Sequence, residues 1–328
     1  MFSNLLTASS QFPVASATVW LDYTTPADVF EINRYGKFRN PDLIPSTEHG
    51  AVGDGTGLIL SVTGSNTVER SEDYGITSSN ITITGSTSLG PIALSPDGTV
   101  IVGEDDVSSG KIFKSDDSGA TFNSTAKTNF GQPVRSIATD GNGNWVAVSF
   151  KSISQGGTSI GVVRYSSDDG DTWSSNIPIG MNVQTVSYSN GYWMAFGDHI
   201  WRSSDMSTWS NVKSNASMRC GVGNGAGKWV AVQDSITNYY TSDDNGSNWT
   251  ERTFSGQGNN TNRTGPLKGI FCDGSVWFLF CTDPAPVSSK DKYAISTNGT
   301  TFSFYDFLDN ANLENACVVS AAMDKFIF

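Results

Sequence analysis

One eight-residue turn, repeated along the chain, limits what this sequence can fold into more than any other feature. It reads Ser166-x-Asp168-x-Gly170-x-Thr172-Trp173, and returns as Ser115-x-Asp117-x-Gly119-x-Thr121-Phe122 and Ser242-x-Asp244-x-Gly246-x-Asn248-Trp249. Three looser copies exist: "SEDYGITS" with Asp73 lacks the ring, "SSDMSTW" with Asp205 lacks the glycine and one residue, and "STNGTTF" is a residue short with Asn298 in the aspartate's place. Each follows a short apolar run, such as "KIFKS", "VVRYS", "HIWRS" or "NYYTS". Aspartate accepts hydrogen bonds from the amides of its own turn, glycine takes the positive φ, and the terminal ring folds back over the gap between turn and sheet. The box therefore predicts a locked hairpin. Gly75, Gly119 and Gly170 are 44 and 51 residues apart, the period of a four-stranded unit.

A second motif alternates with the first. Trp145, Trp193, Trp229 and Trp277 open "WVAV"-like runs at separations of 48, 36 and 48, each preceded by another apolar run: "VRSIAT", "VQTVSY", "MRCGVG" and "LKGIFC". Weaker counterparts in "HGAVGDGTGLILSV", "PIALSPDGTVIVG" and "NACVVSAAMDKFIF" bring the total to seven strand pairs against six boxes. Residues 1–42 hold two apolar stretches, "ATVWLDY" and "DVFEINRYGKF", without a pair of their own type. We expect these to form the outer strands of a seventh unit, paired with "DKFIF", which removes the exposed edges of the sheets. The predicted fold is all-β: one domain over residues 1–328, a seven-bladed β-propeller of four-stranded antiparallel blades closed by N-terminal strands. Gly at 34 of 328 residues and a charged fraction of only 16% suit many short strands and tight turns.

The Ser-x-Asp-x-Gly-x-Thr-Trp boxes resemble the Asp-box, or BNR, repeats of sialidase-like β-propellers, and with the "GxWVAV" pairs the resemblance covers nearly the whole chain. It implies a propeller whose function is open, since such propellers serve as glycosidases, lectins, assembly factors and virion parts. The resemblance implies that Asp73, Asp117, Asp168, Asp205, Asp244 and Asn298 are structural. Sialidases also carry an N-terminal Phe-Arg-Ile-Pro motif, and Phe38-Arg39-Asn40-Pro41 echoes it with Asn for Ile. No Tyr–Glu pair for the nucleophile can be assigned, and catalytic sialidases have six blades where seven are counted here.

In a propeller the innermost strands line a central channel. Aligning their starts brings Glu48, Gly90, Arg135, Gln184, Arg219, Lys268 and Glu314 into register, at separations of 42, 45, 49, 35, 49 and 46. Arg135, Arg219 and Lys268 would form a basic arc able to take a carboxylate, sulfate or phosphate ester. Equally, the ring charges would pair with one another across the mouth. Arg135 and Arg219 are placed just before their strands.

The remaining features narrow the function. A net charge of −12 opposes phosphate backbones and anionic bilayers, so nucleic acid and membrane insertion are not expected. Cys220, Cys272, Cys281 and Cys317 lie in or beside apolar runs and read as buried thiols. No signal peptide is read at the N-terminus. His49 and His199 lack spaced ligands for zinc, Asp168, Asp169 and Asp171 lack the glutamate of a calcium loop, and "GVGNGAG" reads as a hairpin turn, so no metal or cofactor is expected. The repeated tryptophans read as packing between blades, whereas Tyr192, Tyr239 and Tyr305 read as exposed rings for sugar stacking. Three functions are weighed: a non-catalytic structural or adaptor part of an assembly, such as a bacteriophage tail or capsid appendage with possible host-surface attachment; a glycan-binding lectin-like propeller; and an enzyme of sialidase-like glycoside hydrolase type or a photosystem-assembly-like factor. The expected partners are virion proteins or surface glycans, and the expected location is a virion or extracellular surface.

Overall fold

The computed structural model describes residues 19–22, 33–34, 50–73, 77–151, 160–180, 182–233, 238–254, 267–272, 274–281, 292–306 and 325–327. Six four-stranded antiparallel sheets follow one another, each running up and down in chain order. Sheet 1 holds Ala51–Gly53, Ile59–Val62, Thr67–Ser71 and Ser79–Thr82; sheet 2 holds Leu89–Leu94, Val100–Glu104, Lys111–Ser115 and Thr128–Asn129. Sheet 3 holds Val134–Thr139, Trp145–Lys151, Ile160–Ser166 and Ile177–Gly180; sheet 4 holds Val183–Ser189, Tyr192–Gly197, Ile200–Ser203 and Ser210–Lys213. Sheet 5 holds Met218–Gly223, Trp229–Gln233, Asn238–Ser242 and Thr250–Thr253; sheet 6 holds Leu267–Cys272, Trp277–Cys281, Lys292–Ser296 and Ser303–Asp306. A further three-stranded sheet joins Val19–Asp22 to Asn33–Arg34 on one side and to Lys325–Ile327 on the other. The pairing of the N-terminal segment with "DKFIF" is thus present, with Leu21 opposite Phe326.

The core lies between sheets. Five apolar clusters each bridge one sheet to the next, for example Leu60 and Val68 with Val100 and Phe113, or Val146 and Val163 with Val186 and Trp193. Second strands are covered on both faces, so "WVAV" at Trp145 is buried residue after residue instead of alternating. Trp145, Trp193, Trp229 and Trp277 are all buried, as expected of packing residues.

The box does more than lock its own hairpin. In its four-residue heart, Ser166 Oγ donates to Asp168 Oδ1 (2.8 Å) and accepts from the Gly170 amide (2.8 Å), while Asp168 accepts from the Thr172 amide and hydroxyl. The same bonds recur at Ser115 and Ser242, and Ser71, Ser203 and Ser296 also donate to their Asp or Asn. Asn298 replaces Asp successfully because its Oδ1 still accepts from the Thr300 and Thr301 amides. Each closing ring then enters the cluster shared with the preceding sheet: Phe122, Trp173, Trp209, Trp249 and Phe302. The box glycine rests on that sheet too. A Cβ on Gly170 would meet Ile101 Cδ1 at 2.6 Å, and one on Gly119 would meet Leu60 at 2.7 Å.

A third contact runs the other way. The residue before the box serine, when basic, reaches forward into the box of the next sheet. Arg70 Nε donates to Ser118 O (2.9 Å), Arg202 Nε donates to Asn245 O (2.8 Å), and Lys114 Nζ lies 3.3 Å from Asp171 and 3.6 Å from Asp169.

Candidate functional site

The aligned ring positions share a structural cause. In sheets 2 to 6 the ladder between first and second strands breaks its register near the start of the first strand, at Leu89/Ile92, Val134/Ser136, Val183/Thr185, Met218/Cys220 and Leu267/Gly269. The extra residue is Arg135, Gln184, Arg219 or Lys268, and in sheet 2 the step spans Gly90. A bulge leaves its residue outside the ladder and re-aims its side chain. Arg135 and Arg219 are therefore second residues within their strands and do not precede them. The side chain of Lys268, and Glu48 and Glu314 entirely, lie outside the described residues.

Successive first strands are neighbours, and hydroxyls set their mutual register. The Val186 amide donates to Ser136 Oγ (3.2 Å), Thr185 Oγ1 donates to Arg219 O (3.1 Å), and Ser187 Oγ donates to Gly221 O (2.8 Å). These staples set 136 against 186 and 185 against 219, within one residue of the sequence alignment. Arg135, Gln184 and Arg219 thereby stand at one end of the stack of sheets, which we call the rim.

One rim charge is met from a neighbouring sheet. Arg135 Nη1 lies 3.1 Å from Asp105 Oδ1, both largely buried, and Asp105 follows the second strand of the preceding sheet. Gln184 Nε2 donates to Asn182 Oδ1 (2.6 Å), and Asn182 Nδ2 donates to Asp198 Oδ1 (3.0 Å). Asp198 again follows a second strand. Second strands end where first strands begin, so an acid placed just after one lies at the rim of its own sheet and within reach of the next. A sequence signal for this existed: Asp105, Asp198, Asp234 and Asp283 stand just beyond four of the second strands. It was missed because only first strands were aligned.

The loop after Val100–Glu104 is held firmly. Glu104, fully buried, accepts from the Thr87 amide (2.9 Å), the Ser109 hydroxyl (2.6 Å) and the Lys111 amide (3.2 Å). Hydrogen bonds from the Ser108 hydroxyl and amide, and from Thr87, draw Asp106 down to about 2. Between them Val107 stands 73% exposed, the one large apolar side chain so exposed among the described residues.

Other candidates fare differently. Tyr239 is buried, stacked on Phe254 at 4.4 Å with its hydroxyl donating to Thr300 O, so it offers no exposed face. The Arg202 guanidinium lies 3.6 Å from the ring centre of Tyr192 and covers one face of it. Tyr305's side chain, residues 38–41 and His49 are outside the described residues. Cys272 is buried, and burial pushes the Cys220 thiol up to about 11. Asp169 and Asp171 neighbour an ammonium, Lys114 Nζ, which also lies 2.8 Å from Asp116. Among the described residues no three His, Cys, Asp or Glu side chains are grouped to hold a metal. No helix there is long and apolar enough to cross a membrane.

No protein-family model matches the sequence, and no curated protein matches it. Solved structures do. U3-55K superposes with a TM-score of 0.63 at 9% identity, over 86% of each chain. A streptogramin B lyase gives 0.61 at 12% identity, over 88% of this chain and 94% of its own. YCF48 bound to a D1 peptide gives 0.55 at 12% identity, over 86% and 88%. These neighbours are β-propellers, and the chain is an all-β protein of that fold. At such identities the likeness carries the fold alone.

Proposed function

We propose that this chain is a non-catalytic Asp-box propeller of seven blades, closed by the sheet that joins Val19–Asp22 to Lys325–Ile327, and that it acts as a structural or adaptor part of a larger assembly. A phage tail or capsid appendage is the assembly that the sequence resemblance favours. The observation that carries the contact role is the rim. Its charge at Arg135 is met by Asp105 of the neighbouring sheet, and beside it a loop tied down through Glu104 and Asp106 holds Val107 out in solvent. A pre-ordered loop presenting an apolar side chain loses little entropy on docking, which suits a protein contact. A neighbour of the same fold, YCF48, holds a peptide.

The test is binding of the purified chain to a broad glycan panel, with release of free sugar monitored, alongside the Arg135→Ala/Arg219→Ala/Lys268→Ala variant. The adaptor reading expects neither binding nor hydrolysis. Binding without hydrolysis makes the chain a lectin-like module, and its loss in the triple variant places the glycan at the rim. Sugar release overturns the non-catalytic reading.

A further inference from the structure

The rim carries an imidazole that is engaged as a hydrogen-bond acceptor. His199 sits in the tight turn after the second strand of sheet 4, and its Nδ1 accepts a hydrogen bond from the backbone amide of Asn215 (3.1 Å). Nδ1 is therefore unprotonated and the ring proton of the neutral imidazole is on Nε2. The segment that His199 holds is under strain. Asn215 (φ 53°) and Ser217 (φ 48°) both take left-handed conformations on either side of Ala216, which is fully buried. Such conformations persist only where surrounding bonds determine them. Here the described bonds are Ala216 N to Asp198 O (2.8 Å), a longer one from Ser217 N to the same oxygen (3.5 Å), Gln233 Nε2 to Ala216 O (2.6 Å), and the His199 contact itself.

We infer that His199 is a pH-sensitive latch on the segment leading into the bulge at Arg219. Charging the imidazole places a proton on Nδ1, which then faces the Asn215 N–H donor to donor, and the bond is lost. The outer support of a strained segment goes with it, at Asn215, three residues before Met218–Gly223 begins. The same turn reaches Gln184 through Asp198 and Asn182, so the latch touches the rim on both sides. The charged groups on the described elements around it are Asp198 on its own turn, Arg202 on the strand that follows, engaged with Asn245 O and the Tyr192 ring, Lys213 on the outer strand of sheet 4, and Arg219 on the first strand of sheet 5. Asp198 is already held by Asn182 Nδ2. Lys213 is turned to the Tyr240 ring, 5.2 Å from its centre. Gln233, from the second strand of sheet 5, carries no charge. The latch stands on this geometry alone. Its consequence, that a partner seated on the rim is held differently at pH 5.5 and pH 7.5, rests on the contact role proposed above.

The test is amide hydrogen exchange at Asn215 and Ala216 by NMR on the full chain, corrected for intrinsic rates, at pH 7.5 and 5.5. The parent is expected to lose protection about tenfold at pH 5.5 relative to pH 7.5. His199→Asn, whose amide oxygen can replace Nδ1 as acceptor without titrating, is expected to show no change. If parent and variant change equally, or the parent does not change, the latch is overturned. Imidazole nitrogen shifts of the parent at pH 7.5 give a second reading independent of any variant: a protonated Nδ1 there also overturns it. Absence of any rim-binding partner would sink the contact role and leave both readouts untouched.

Discussion

Ser166 illustrates how much one side chain can carry in this fold. It is buried, and its hydroxyl serves as donor to Asp168 and acceptor for Gly170 at once. Ser166→Ala removes both and leaves the Gly170 amide buried without its acceptor. We expect a loss of about 1–3 kcal/mol, read as a lower urea midpoint at unchanged slope. Asp168→Asn is expected to lose less, because Asn298 already performs the aspartate's part in the sixth box. Lys114 is the other residue whose role is out of proportion to its size. Its side chain is nearly buried among Asp116, Asp169 and Asp171, and although burial opposes its charge, the bonds to Asp116 and Asp171 keep its ammonium well protonated. Lys114→Met leaves three carboxylates near one another with one remaining cation, Lys127, 2.7 Å from Asp171. The expected cost is about 1–3 kcal/mol, below that of a fully buried pair because Asp116 and Asp171 are more than half exposed. A double-mutant cycle with Asp171→Asn checks the cause: the second substitution should cost less in the Lys114→Met background than alone.

Among elements, the box and the bulge divide the labour. The box ties a sheet to the one before it through glycine, ring or both, and in sheets 3 to 5 the bulge sets Arg135, Gln184 and Arg219 at the rim. The glycine's part can be isolated. Gly170 and Gly191 both have positive φ, 84° and 81°, but a Cβ at 170 runs into Ile101 whereas nothing lies within 4 Å of one at 191. Gly170→Ala should cost about 2–4 kcal/mol, combining left-handed strain with overpacking, and Gly191→Ala only about 1–2 kcal/mol, as thermal melts of the two variants would show. This contrast also explains what the sequence could and could not tell. The box is local, so Ser, Asp, Gly and ring were legible from spacing, as were the strands on either side. The partner of Arg135 was not, because Asp105 comes from another sheet and only the stacking brings it near. Tyr239 was misjudged for the same reason: a middle strand stacked between two sheets buries Tyr239 and Tyr240 alike, and alternation no longer marks an outer face. The turn of His199 leaves no spacing signature at all, since its acceptor role depends on a segment 16 residues away.

At the scale of the molecule, the many hydrogen-bonded aspartates set the response to acid. Asp168 is drawn to about 2 by the Thr172 hydroxyl and amide, and Asp106 to about 2 by Ser108. In Asp244 partial burial pushes upward, but bonds from Asn248 prevail and leave it at about 2 as well. Each is lower folded than its ordinary 3.8, so the unfolded chain takes up protons first as pH falls. Their stabilisation is complete above about pH 5 and is lost progressively toward pH 2. Water screens the exposed ones, Asp168 and Asp244, which keeps each contribution small. The unfolding temperature should therefore hold level from pH 7 to about pH 5 with respect to these groups and then fall, with a shallower fall in Asp168→Asn.

Closure of the ring is the remaining question at this scale, and the pairing of Leu21 with Phe326 makes it testable. Six sheets stacked in a row leave two faces that each need a neighbour, and the sheet built from Val19–Asp22 and Lys325–Ile327 is the one element made from both distant parts of the chain. If it fills the gap between sheets 6 and 1, a disulfide across its central pair links segments already held together. Leu21→Cys/Phe326→Cys should then oxidise readily, give the cross-linked peptide on digestion, and raise the unfolding temperature, because a bridge over so long a loop removes much denatured-state entropy. The shift should vanish on reduction. Oxidation without any gain in stability would mean that this sheet is an appendage and that the stack of six is not closed by it.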